Sequence, residues 1–171
     1  MKLHVLNRKV HYWASLLVAL PVLVMIGTGL LLHLKKDWNW VQPTEQKGSG
    51  KMPTLDFARI LEICQQVPQA EIKEWGDIRR VDVRPSRGMM KVWAKNGHEI
   101  QIDIQSGTVL QVEYRRSDLI EAIHDGSWFS NSMKYCVFLP AGVILFIMWL
   151  TGIYLFALPQ WVKWRRRRKP I

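Results

Sequence analysis

The stretch VHYWASLLVALPVLVMIGTGLLLHL, Val10 to Leu34, decides how the rest of the chain is read. It holds 25 residues without a formal charge, between Lys9 and Lys35. About 20 apolar residues cross a bilayer core of about 30 Å as a helix, so residues 10–34 read as a first transmembrane helix. A cleaved secretory signal is the rival reading, but its apolar core runs only ~7–15 residues and ends at a small-x-small site. Here the run is longer and closes on Leu-Leu-Leu-His-Leu-Lys-Lys, which reads as a retained anchor. His11 and His33 stand near its two ends, 22 residues apart. At ~100° and ~1.5 Å per residue they share one helix face roughly 33 Å apart. Histidine is costly inside a membrane and common as a metal or haem ligand, so this pair frames the functional question.

A second uncharged run, Tyr135 to Val162, lies between Lys134 and Lys163 and reads as a second span, with Pro140 and Pro159 near its ends. Two spans, a hairpin in space, put both termini on one side. Lys2, Arg8 and Lys9 precede the first span, and Lys163, Arg165 to Arg168 and Lys169 follow the second. Those nine basic residues have no acidic neighbour, whereas all 14 acidic residues fall between Asp37 and Asp125. Basic flanks mark the cytoplasmic side, so the tails at 1–9 and 163–171 read as cytoplasmic and the centre as extracytoplasmic. The net charge of +10 then needs no nucleic acid, because Arg165 to Arg168 directly after a span serve topology and contact with anionic lipid. Tryptophans agree with this placement. Trp13, Trp161 and Trp164 fall at the inner boundary, and Trp38, Trp40 and Trp128 at the outer one.

Between the spans, residues 35–53 read as an exposed linker, with Lys47-Gly48-Ser49-Gly50-Lys51 carrying flexible-chain composition. Thr54 is placed to cap a helix over Leu55 to Gln66 that Pro68 ends, with Phe57, Ile60, Leu61, Cys64 and Val67 as its apolar face. After Gly76 the period changes to two. Val81 to Arg84, Met89 to Ala94, Glu99 to Ile104 and Leu110 to Tyr114 alternate, and Asn96-Gly97 is a hairpin turn. Ile100, Ile102 and Ile104 share one face; Glu99, Gln101 and Asp103 share the other. Residues 54–116 are thus one helix on a three- or four-stranded antiparallel meander. Residues 117–134 form a short helix, capped by Ser117 and stopped by Asp125-Gly126, and a return segment to the span at 135–162. The fold class is an α+β membrane protein.

A helix and meander containing Lys95-Asn96-Gly97-His98-Glu99 and Asp103-Ile104-Gln105-Ser106-Gly107-Thr108-Val109 resemble a PepSY domain. Bracketed by spans with His11, Thr28-Gly29, Ile123-His124-Asp125-Gly126 and Thr151-Gly152, the chain resembles the PepSY-associated transmembrane family over almost its whole length. That resemblance implies a bacterial inner-membrane protein tied to iron uptake or flavin-linked electron transfer. Larger members, with four spans, resemble reductases of ferric siderophores that hold haem on transmembrane histidines. The soluble module also occurs in metalloprotease propeptides.

Haem b is therefore the expected cofactor, with His33 and His124 as candidate axial ligands to one outer iron. His11 is the candidate at the inner face, where its partner would come from a second subunit, His4 or another protein. A homo-oligomer or a partner membrane redox subunit follows from having two spans instead of four. The opposing reading leaves His11 and His33 at the headgroups and His124 as a helix-terminal residue, and makes the chain an anchored, non-catalytic module. Such a module would bind a peptide, protease or partner subunit, for which an open strand edge is suited. No nucleophile elbow, His-Glu-x-x-His or phosphate loop occurs. Cys64 and Cys136 read as buried free thiols, and His98 as solvent-exposed.

Overall fold

The computed structural model describes residues 3–167 of the 171-residue chain. Lys2, Arg168 and Lys169 of the basic flanks lie outside the described residues. The chain divides into two compact units, residues 30–121 and a second unit made of residues up to 29 and from 122 onward.

The second unit is a pair of long apolar helices. α1 (Leu3–His33) runs unbroken through Pro21. The returning helix begins four residues earlier than the charge pattern suggests, as α4 (Asn131–Met133), because Ser130 accepts from the Met133 amide and caps it. A π turn follows (Lys134–Phe138), then α5 (Leu139–Arg167). Pro140 accounts for the π turn. It has no amide for the carbonyl four residues back and its ring crowds that carbonyl, so the ladder opens and Leu139 N–H reaches Lys134 O instead. Helix contacts run in opposite chain order: Ser15 Oγ meets Met148 Sδ at 3.9 Å, and Gly142 lies against Met25. The two helices are therefore an antiparallel hairpin. Leu17, Leu20, Leu23 and Phe156 stay wholly turned outward. Apolar surface on that scale belongs in lipid, and both helices are long enough to cross it. The protein is a membrane protein with two spans.

The central unit is a four-stranded antiparallel sheet in chain order, β1 (Ile78–Arg84), β2 (Met89–Ala94), β3 (His98–Asp103) and β4 (Val109–Tyr114). α2 (Phe57–Gln65) lies on one face, and α3 (Arg116–His124) leads out of the unit. The core between α2 and the sheet holds Ile60, Ile63, Cys64, Met90, Val92, Ile100 and Ile102. Burial pushes the free Cys64 thiol up to about 11.

Four details depart from the sequence reading. α2 starts at Phe57 because Asp56, not Thr54, accepts from the Arg59 amide at 2.7 Å. Phe57 thereby turns away from the core; it is 72% exposed and packs edge-on to Trp75. Cys136 is exposed on the π turn, not buried. His98 is half-buried, edge-on to Tyr114 with Nδ1 3.1 Å from Asn96 Oδ1.

The largest departure is the linker. Residues 41–50 are a strap laid across the sheet face opposite α2. Val41 is fully buried and its carbonyl accepts from Ser117 N. Thr44 O and Gln46 N bond the Gln101 amide at 3.0 and 2.7 Å. Ser49 N, Ser49 Oγ and Gly50 N all donate to Asp103 Oδ2, while Gln105 N and Ser106 N donate to Oδ1. Five donors hold the Asp103 carboxyl well below the usual carboxylate range, those of Ser106 and Gln105 contributing most. Gly48 serves close approach here, not flexibility: a Cβ on it would lie 2.0 Å from the Gly88 carbonyl oxygen.

Candidate functional site

Two constellations carry chemistry, one in each unit. In the membrane unit, α3 ends at His124, and Asp125 and Gly126 then turn the chain. Gly126 takes φ +80°, and a Cβ there would come 2.4 Å from the Phe138 ring, so glycine is required on both counts. Asp125 is tied to Lys134 Nζ at 2.6 Å, and that ammonium with the Ser127 hydroxyl holds the carboxyl down at about 2. These anchors place the His124 ring against α1, where Nδ1 lies 3.0 Å from Thr28 Oγ1.

The direction of that bond follows from Thr28. Its hydroxyl lies 2.5 Å from Val24 O, a carbonyl that can only accept. The hydroxyl proton is committed to that carbonyl, so Thr28 Oγ1 accepts from His124 Nδ1–H. In the neutral imidazole the lone pair then belongs to Nε2. This is the arrangement that metal-binding histidines use, the far nitrogen held by a polar neighbour. A cavity of about 280 Å³ adjoins the ring, walled by Met25, Phe138, Leu139 and Gly142 with Tyr135 and edged by the Asp125–Lys134 pair. Gly29 also lies beside the ring, and a Cβ there would touch His124 Cε1 at 3.4 Å.

His11 sits on α1 toward the opposite end of the hairpin. Its Nδ1 is buried without a hydrogen-bond partner, and it lines a groove of about 570 Å³ with Tyr12, Ser15, Leu16, Ala19 and Leu155. Seventeen residues separate it from Thr28, about 25 Å along the helix, so His11 and His124 serve different places. His33 is the exposed last residue of α1, five residues beyond Thr28 and roughly 140° round the helix from it. The side chain of His4 is outside the described residues. Among the described residues no three His, Cys, Asp or Glu side chains gather into a set that holds a bare metal ion.

In the central unit, the strap covers a charged sheet face. Lys91, Glu99, Gln101 and Asp103 are all at most 2% exposed. Glu99 accepts from Gln101 Nε2 and Arg115 Nη1, each at 2.8 Å, and lies 3.3 Å from Lys91 Nζ. Lys91 also reaches Glu45 of the strap at 3.2 Å. Asp118 takes both Arg115 and Arg79. The Trp93 ring lies under three guanidinium groups, with Arg115 nearest at 4.0 Å.

In the sequence Thr28 stands only within the Thr28-Gly29 motif, and its partnership with His124 goes unread. The sequence reading assigned Glu99, Gln101 and Asp103 to the correct face but missed their burial. One signal was there: Lys91 and Trp93 alternate on β2 directly opposite Gln101 and Glu99 on β3. A solvated face carrying a lysine and a tryptophan in register with a glutamine and a glutamate invites a cover.

The family model described as the PepSY-associated TM region matches residues 8–170. No curated protein and no solved structure matches the chain. With two spans around a helix-and-meander unit and a family match over nearly its whole length, the chain belongs to the PepSY-associated transmembrane family and is a membrane-anchored PepSY protein.

Proposed function

We propose that the protein is a haem-b electron-transfer subunit of the bacterial cytoplasmic membrane, serving iron, siderophore or flavin-linked reduction. Both termini face the cytoplasm and the PepSY unit faces the periplasm, following the nine basic flanking residues. The observation that carries the redox reading is the Val24–Thr28–His124 relay, which fixes one imidazole with Nε2 as its acceptor beside a largely apolar cavity. His11, whose buried Nδ1 lacks a partner, supports the same use at the other end of the hairpin.

The residues fit the group as half-sites. His124 would supply one imidazole ligand, Thr28 would orient it, and Met25, Phe138 and Leu139 would give the apolar wall. His33 is the candidate second ligand, from the same chain or from a second copy. His11 likewise pairs with an imidazole of another copy or of a partner redox subunit. Bound haem would supply one-electron chemistry.

An absorption spectrum before and after dithionite tests this. Protein made in haem-replete cells should show reduced b-type bands. His124→Ala should abolish one spectral component, and His33→Ala should abolish or shift the same one. His11→Ala should leave that component intact. Thr28→Val should retain haem but shift its midpoint potential, because only the orienting acceptor is lost. A colourless wild-type protein overturns the reading. The second reading, an anchored module without redox chemistry, then stands, favoured by the charged cleft of the PepSY unit.

A further inference from the structure

Beside the strap the PepSY unit holds a cavity of about 580 Å³, within the size range of small-molecule sites. Its wall includes seven cations, Lys35, Lys36, Arg80, Arg84, Arg87, Lys91 and Arg115, against two carboxylates, Glu45 and Asp82. The imbalance is local, because the ion pairs do not consume it. Arg84 pairs with Asp82 and shares Glu45 with Arg87 and Lys91, Lys91 also reaches Glu99, and Arg115 is spent on Glu99 and Asp118. Among the described residues Lys35, Lys36 and Arg80 have no carboxylate partner. A concavity that gathers like charges and leaves three without a carboxylate partner focuses a field that attracts an anion.

A second observation is independent of charge. Four buried side-chain polar atoms of the described residues lack a hydrogen-bond partner, and two of them belong to this wall: Trp93 Nε1 and Gln42 Oε1. An indole N–H can only donate, and a half-turn of the Gln42 amide sets an N–H₂ donor where its oxygen stands. Buried polar groups left unpaired cost stability, and they concentrate where a ligand completes the bonding.

We propose that this cleft is an anion-binding site for a ligand bearing several phosphate or carboxylate oxygens. The paired cations, Lys91 and Arg115 above all, are the rigid floor. Lys35, Lys36 and Arg80 are the groups that reach the ligand. Lys35 and Lys36 follow the last residue of α1 by two and three positions in the chain, so a lipid headgroup is a source of such an anion alongside a soluble one. The proposal stands without haem.

Two probes separate those sources. Full-length protein in dodecyl maltoside is dialysed to equilibrium against radiolabelled inorganic pyrophosphate. In parallel it is titrated with cardiolipin, and with phosphatidylcholine as the zwitterionic control, under native mass spectrometry. The expected result is saturable, salt-sensitive binding of pyrophosphate or cardiolipin over phosphatidylcholine. The Lys35→Gln/Lys36→Gln/Arg80→Gln variant should bind at least about tenfold more weakly, since even one lost charge-assisted bond is worth that much. Arg59→Gln, which breaks a pair with Glu62 on α2, should bind as wild type. Pyrophosphate binding assigns a soluble anion, and cardiolipin binding alone assigns a headgroup. Failure of both probes, or wild-type binding by the triple variant, overturns the site. Circular dichroism checks the fold; Arg80→Gln alone is read in the same way where the triple variant does not fold.

Discussion

On the α2 side of the sheet, Met90, Val92, Ile100 and Ile102 are closed off by other apolar side chains. On the strap side, Lys91, Glu99, Gln101 and Asp103 are just as inaccessible, yet every one is polar or charged. The first face is held by area removed from water, a term indifferent to direction, so it tolerates imperfect neighbours. The second is held by bonds that must each find their partner, because an unpaired buried donor or charge costs more than its bond returns. One face therefore fails gradually and the other by release of a whole segment.

Charging the apolar face should give the largest effect. Ile102→Asp sets a carboxylate among Ile60, Ile63 and Val92 with nothing to pair it, at a cost of about 4 kcal/mol. The PepSY unit should lose its resistance to limited proteolysis while both spans still insert; a resistant unit would mean that Ile102 is not in the core.

Asp103→Asn strikes the other face. It strips charge from an acceptor of five donors and leaves some unsatisfied, for about 2–3 kcal/mol. Cleavage should appear first between residues 41 and 53, ahead of any cut in the sheet. The pH dependence has a definite sign. The folded carboxyl is depressed, so its contribution is complete above the unfolded value of about 4 and is lost as the pH falls through the lower, folded value. Thermal melts of the wild type should weaken below about pH 4, and those of the asparagine variant should weaken less steeply over that range.

The smallest effect belongs to Phe57, which the helical period assigns to the core. Exposed, and touching Trp75 edge-on, it should cost only about 1 kcal/mol on change to alanine. A loss of 3 kcal/mol in urea titration would restore it to the core.

The spans were legible because uncharged runs of that length have one solvent that suits them, and the strands because Ile100, Ile102 and Ile104 keep period two. The start of α2 was misread by a few residues because Thr54 and Asp56 are equally good caps; which one serves is set by packing, not by local chemistry. The strap was illegible for a different reason. Lys47-Gly48-Ser49-Gly50-Lys51 has the composition of a tether, and its docking depends on Asp103, more than 50 residues away. His124 was picked from its motif, but Thr28, 96 residues earlier, is joined to it only by the hairpin.

The π turn at Lys134–Phe138 has a genetic consequence. A five-residue step in a four-residue ladder is one residue more than an α-helix needs, the footprint of a single insertion. Deleting one codon from 135–137 would let the ladder close and would twist everything upstream by about 100° relative to α5. Phe138 would swing off Gly126, Lys134 would part from Asp125, and the His124 ring would leave Thr28. The hydrophobic length would hardly change, so such a mutant would still reach the bilayer in the correct orientation. It would arrive intact by every measure of membrane insertion and be out of phase where the histidine is held.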